Sequence, residues 1–90
     1  MGRFVGIHTL PGFTRQMLEG ATEQLNQFDD ARFVRAYTSF GAGKVVCDWE
    51  AAGKDSVAKA YAAMDFPYDE IVAVEAICEQ GSVGVDTQYL

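Results

Sequence analysis

The chain has 90 residues, 49% of them hydrophobic and 22% charged, with a formal net charge of −6. That balance belongs to a single globular domain rather than a disordered chain, and at this length folding hides only roughly 60–65% of the unfolded surface, so a partner chain would add stability. An acidic chain without a Lys/Arg run repels phosphate, which argues against nucleic acid and anionic membranes as partners.

The opening Met1-Gly2-Arg3-Phe4-Val5-Gly6-Ile7 has too short an apolar run for a signal peptide, and no later stretch approaches the ~20 residues that span a bilayer. A cytoplasmic location is the expectation. Cys47 and Cys78 lie far apart without metal-ligand spacing and are expected to be reduced and unpaired.

Residues 3–9 read as a first strand, closed by the Leu10-Pro11-Gly12 break. Thr14 can cap the helix that follows, in which Met17, Leu18, Ala21, Leu25 and Phe28 recur at helical spacing over about 14 residues, to Asp29-Asp30. Residues 32–40 are rich in aromatic and β-branched types. With Gly41-Ala42-Gly43 and Lys44 to Glu50 they form a hairpin whose turn offers glycine where positive φ is required. A second helical period starts near Asp55, with Val57, Ala60, Tyr61 and Met64 on one face, and must stop before Pro67. Residues 70–77 form the last secure strand; residues 78–90 are an extension that makes either an extra strand or an arm reaching a neighbour.

Two β-α-β halves joined by a hairpin give an α+β domain over residues 1–77 in the order β-α-β-β-α-β, a ferredoxin-like antiparallel sheet with both helices on one face. The other face is bare, and a homodimer is expected to cover it.

The segments Phe33-Val34-Arg35-Ala36-Tyr37-Thr38-Ser39, Cys47-Asp48-Trp49-Glu50-Ala51 and Asp65-Phe66-Pro67-Tyr68-Asp69-Glu70-Ile71 occur in an order and spacing that resembles the DUF4242 domain family. The chain departs from that family at Asp65-Phe66-Pro67, where relatives more often carry Gly before the apolar residue. The resemblance implies a ferredoxin-like protomer, a dimer whose sheets face each other as an α/β barrel, and, for some relatives, nickel binding.

Strand alternation is read as placing Val5 and Ile7 under the helices, with Phe4, Gly6 and His8 on the open face. The same reading puts Val34, Ala36, Thr38, Val45, Cys47, Trp49, Val72, Val74 and Ala76 inside. Phe33, Arg35, Tyr37, Ser39, Val46, Asp48, Glu50, Ile71, Ala73, Glu75 and Ile77 then lie outside. A two-residue turn, or a four-residue one of the same parity, sets Arg35 across from Asp48 and Phe33 across from Glu50. With the first and third strands taken as parallel neighbours, His8 and Glu50 converge at their ends.

Three functional classes follow. A divalent metal such as nickel, zinc or manganese would be held by His8, Asp48 and Glu50, and a small ligand would meet Arg35 and Tyr37. A small barrel enzyme would use His8 for proton transfer with Tyr37 orienting an organic substrate. A structural homodimer would need neither, its polar residues pairing across the interface. Cys47 is read as a buried inert thiol on the face away from His8, and Gly41-Ala42-Gly43-Lys44 as a hairpin turn, since a phosphate loop opens a helix.

Overall fold

The computed structural model describes residues 1–79 and the backbone of residues 82–85. The order of elements is β1 (Gly2–Thr9), α1 (Arg15–Thr22), β2 (Ala31–Ser39), β3 (Lys44–Ala51), α2 (Lys54–Ala63), β4 (Glu70–Ala73), β5 (Ala76–Glu79) and β6 (Ser82–Val85). The first six elements make the ferredoxin-like layer pair, with the four strands in the order β2-β3-β1-β4. Every neighbouring pair is antiparallel. The expected barrel is not formed: the sheet is open, with β2 and β4 as separate edges.

The hairpin connection is the four-residue turn Phe40–Gly43, and it keeps the expected parity, with Ser39 opposite Lys44 and Arg35 opposite Asp48. Gly43 adopts φ +65, and the atoms of Leu10 and Pro11 lie within 3.1 Å of where a side chain would start. Both observations require glycine there. Closer to the far end of the hairpin, a bulge between Phe33 and Arg35 shifts the pairing so that Phe33 meets Trp49 instead of Glu50. The two rings form an edge contact at 5.6 Å, which takes Phe33 from the expected open face to the core.

The expected faces of β1 and β4 are inverted. Phe4, Gly6 and His8 are buried under the helices, whereas Val5 and Ile7 are only half-buried on the open face. In β4, Ile71 opposite Gly6 is buried and Val72 opposite Val5 is 41% exposed. The physical reason lies in α2. Tyr61 presses its hydroxyl against β1 at Gly6, where an added Cβ would lie 2.8 Å from the ring carbon Cζ. Only a strand residue without a side chain can face that ring, so Gly6 points inward and carries Phe4 and His8 with it.

α1 is shorter than its apolar period. Thr14 caps it as expected, accepting from the Met17 amide at 3.2 Å, but the helix ends at Thr22 and the chain continues in turns. Thr22 turns its hydroxyl back to the Glu19 carbonyl at 2.7 Å, one of the local bonds that compete with helix propagation. α2 stops at Ala63, before Pro67, with Asp65 at φ 52. The single strand expected over 70–77 is instead divided. β4 ends at Ala73, and β5 leaves the main sheet to pair with β6. The place where residues 86–90 dock lies outside the described residues.

The core is centred on Trp49, Tyr61, His8, Val45 and Val57, all fully buried. Trp49 Nε1–H donates to the Tyr61 hydroxyl at 2.8 Å, so the two largest core side chains satisfy each other without water. Gly6→Ala is expected to destabilise the fold by about 1–3 kcal/mol through overpacking against Tyr61. Gly41→Ala, where an added Cβ meets nothing within 4 Å, should stay within roughly 0.5 kcal/mol of the parent. Urea denaturation of both variants checks this, and equal tolerance would contradict the Tyr61 constraint.

Candidate functional site

Charged side chains gather on the open face. Arg3 Nη2 donates to Glu50 Oε1 at 3.1 Å, and its Nε lies 3.5 Å from Asp48 Oδ1. Arg32 Nη2 reaches Glu50 Oε1 at 2.8 Å, and Arg35 Nε lies 4.0 Å from Asp48 Oδ2. Bonding to Arg32, and then to Arg3, holds the Glu50 carboxyl below its ordinary range. Asp48 Oδ1 is buried and accepts no hydrogen bond among the described residues. Beside it, Arg3, Arg35, Tyr37 and Asp48 line a cleft of about 300 Å³ whose other wall is β5, including Ile77 and Glu79. The structure therefore brings Arg35, Tyr37 and Asp48 together, with Glu50 one step along the strand.

His8 is elsewhere. Because β3 runs antiparallel to β1, Glu50 opposes Arg3 and His8 opposes Val45, which corrects the expected convergence of His8 with Glu50. A right-handed crossover makes β1 parallel to β2, and the strand inserted between them must run against both. The imidazole stacks on Phe66 at 4.7 Å and meets Tyr61 edge-on at 4.7 Å. A carbonyl can only accept, so the 2.8 Å contact between His8 Nδ1 and the Pro67 oxygen fixes the proton on Nδ1. Nε2 is buried without a hydrogen-bond partner among the described residues. Burial lowers the His8 pKa, with the Pro67 bond and the Asp69 charge opposing.

Tyr61 joins this cluster to β3. Burial raises the Cys47 thiol to about 11, which leaves it protonated, but Cys47 lies on the same buried, helix-side face as His8 rather than away from it, because β1 is inverted. Burial likewise drives the Tyr61 phenol well above its ordinary value. His8 and Tyr37, the pair expected for catalysis, occupy opposite faces, one fully buried and the other 63% exposed.

Phe66 and Pro67, which enclose His8, have a second surface. With Leu10, Pro11, Phe13 and Met17 they wall a groove of about 690 Å³ that runs beneath α1 and opens to solvent. α1 buries none of its residues, so a helix that would normally seal this space leaves it accessible. The wall is pinned to β1 by three hydrogen bonds, one of them from the Asp69 amide to the Ile7 carbonyl at 2.7 Å. His8 holds the Pro67 carbonyl, and Thr9 Oγ1 donates to Asp69 Oδ2 at 2.6 Å while accepting from Lys44 Nζ at 2.8 Å. These groove residues were not singled out by sequence reasoning. The available signal was the pair of proline breaks, Pro11 and Pro67, which the topology brings to one end of the sheet.

The metal ligands proposed from sequence do not form a site within one chain, since the sheet separates His8 from Asp48 and Glu50. Among the described residues, no group of three or more His, Cys, Asp or Glu side chains could hold a metal ion. Nickel therefore has no fitting site in the described part of a single chain.

The lowered His8 pKa predicts a pH signature. The unfolded imidazole binds its proton near the ordinary 6.5, whereas the folded one does so only at lower pH. Between those values the unfolded chain holds more protons, so stability falls as pH drops below 6.5 and this contribution levels off under the folded value. The Glu50 contribution is lost in a lower window, beginning at its ordinary 4.5. Urea midpoints at pH 7.5, 6 and 5 should decline for the parent and flatten for His8→Phe; an equal decline in both would contradict a buried neutral imidazole.

Among the described residues no helix is long and apolar enough to cross a membrane. A search of curated proteins finds no match. The crystal structure of SCO4226 from Streptomyces coelicolor A3(2) superposes with a TM-score of 0.77 at 20% identity, over 84% of this chain and 99% of that one, a likeness that shows the fold. The family described as nickel responsive protein SCO4226-like matches residues 4–74, and on that match the chain belongs to the SCO4226-like family.

Proposed function

We propose that this protein binds a small organic molecule in the groove beneath α1, acting as a cytoplasmic ligand-binding protein. The observation that carries the reading is the groove itself. Its volume of about 690 Å³ lies within the range of small-molecule sites, and its walls are largely apolar and aromatic with a few polar groups. Two free cysteines accord with a reducing compartment.

N-phenyl-1-naphthylamine, a neutral apolar fluorophore, is expected to bind saturably at one site per chain with micromolar affinity. Ala21→Trp, which fills the groove from α1, should weaken binding by roughly tenfold or more while leaving the circular dichroism spectrum unchanged. Absence of saturable binding, or equal binding by the variant, would reject the groove as the site.

A second reading is favoured by the family description and by the Asp48 Oδ1, which is ion-paired to Arg3 but accepts no hydrogen bond among the described residues. It joins the nickel label of the DUF4242 resemblance to a homodimer formed through the open face. Val46, Val72 and Tyr37 expose apolar surface there, and Asp48 carboxylates from two chains would supply ligands that one chain lacks. Arg3 and Arg35 compete for the same carboxylate, which makes this a weak site. On this reading tag-free protein sediments as a dimer, Val46→Asp dissociates it, and Asp48→Ala reduces nickel uptake, whereas His8→Asn does not. Stoichiometric nickel on a monomer, or uptake lost with His8 alone, would overturn it.

A further inference from the structure

We infer that the groove beneath α1 selects organic cations, protonated amines carried on an apolar or aromatic body, over neutral or anionic molecules of the same shape. This rests on the reading of the groove as a ligand site and adds the chemical class. Three features of the walls agree in sign.

Among the described residues lining the groove, Asp65 is the only ionisable one. It is exposed and stands at φ 52, a backbone conformation in which a residue without a side chain would be less strained.

Both helices also bring their C-terminal ends to this place. Gly20 and Ala21 lie in the last turn of α1 and Gln24 follows it, while Asp65, Phe66 and Pro67 follow the end of α2. Ala21 and Gln24 meet Met64, the C-cap of α2, across a small crevice of about 50 Å³. A helix C-terminus carries partial negative charge that a cation balances. Neither helix has a basic side chain in its last turn to do so.

The aromatic walls complete the fit. Phe13 and Phe66 both line the groove, with ring centroids 6.2 Å apart and tilted by 30°, and aromatic rings attract an ammonium group that reaches their faces. At the mouth, the Lys44 ammonium is matched by the Asp69 carboxylate on the same Thr9 hydroxyl, so this pair adds no net positive charge.

The test uses three ligands on one skeleton: 2-naphthylmethylamine, 2-naphthalenemethanol and 2-naphthoic acid, titrated at pH 7 and low salt by tryptophan fluorescence and by chemical-shift mapping. The amine should bind roughly 3- to 10-fold more tightly than the alcohol, and the acid more weakly than either. Asp65→Asn, which keeps a residue tolerant of positive φ, should narrow the amine's advantage and leave the alcohol's affinity unchanged. If the alcohol binds in the groove and the amine binds no better, or if Asp65→Asn leaves the ratio unaltered, the cation preference is wrong while the groove reading stands. If neither the alcohol nor the amine shifts resonances of Phe13, Met17 or Phe66, the groove reading itself fails.

Discussion

Tyr61 and Gly6 meet so closely that no side chain fits between the phenol and the strand, and the arrangement of the whole domain follows from that contact. With Gly6 turned toward α2, strand alternation sends Phe4 and His8 inward and leaves Arg3, Val5 and Ile7 outside. The register with β4 then buries Ile71 and exposes Val72. Trp49 donates to the Tyr61 hydroxyl, so β3 is tied to the same atom that orients β1.

That one packing decision separates two chemistries. On the helix side, a neutral imidazole between Tyr61 and Phe66 supports the wall of an apolar groove. On the open side, three arginines and two carboxylates form a partly exposed lattice among valines. Removing charge from water costs most where partners are fewest, which is why the ionised groups lie on the half-solvated face and the single histidine enters the core uncharged.

Much of this was legible in the sequence. Pro67 ended α2, Thr14 capped α1, and the spacing around Gly41-Ala42-Gly43 set the hairpin register that pairs Arg35 with Asp48. The error in β1 came from weighing Val5 and Ile7 as the apolar set. Alternation fixes only that two faces exist, and the choice between them rested on a long-range contact with Tyr61 that periodicity does not encode. The bulge at Phe33 is a similar case, since one extra residue flips every side chain beyond it and leaves no mark in composition. The sequence therefore grouped Arg35, Tyr37 and Asp48 as the structure does, and misplaced His8.

The groove owes its existence to helix α1 being too short and too lightly buried to close over Phe13 and Phe66. His8 contributes by holding Phe66 and Pro67 in place, a structural role that also sets its tautomer. Because the chain has one histidine, the long-range proton–nitrogen NMR spectrum of its imidazole can be read without assignment ambiguity. Recorded at pH 7 with and without nickel, it should show a protonated Nδ1, an unprotonated Nε2 and a slowly exchanging Nδ1 proton, unchanged by the metal. A rapidly exchanging imidazole, a proton on Nε2, or broadening of this ring by nickel would place His8 outside the core and contradict the account.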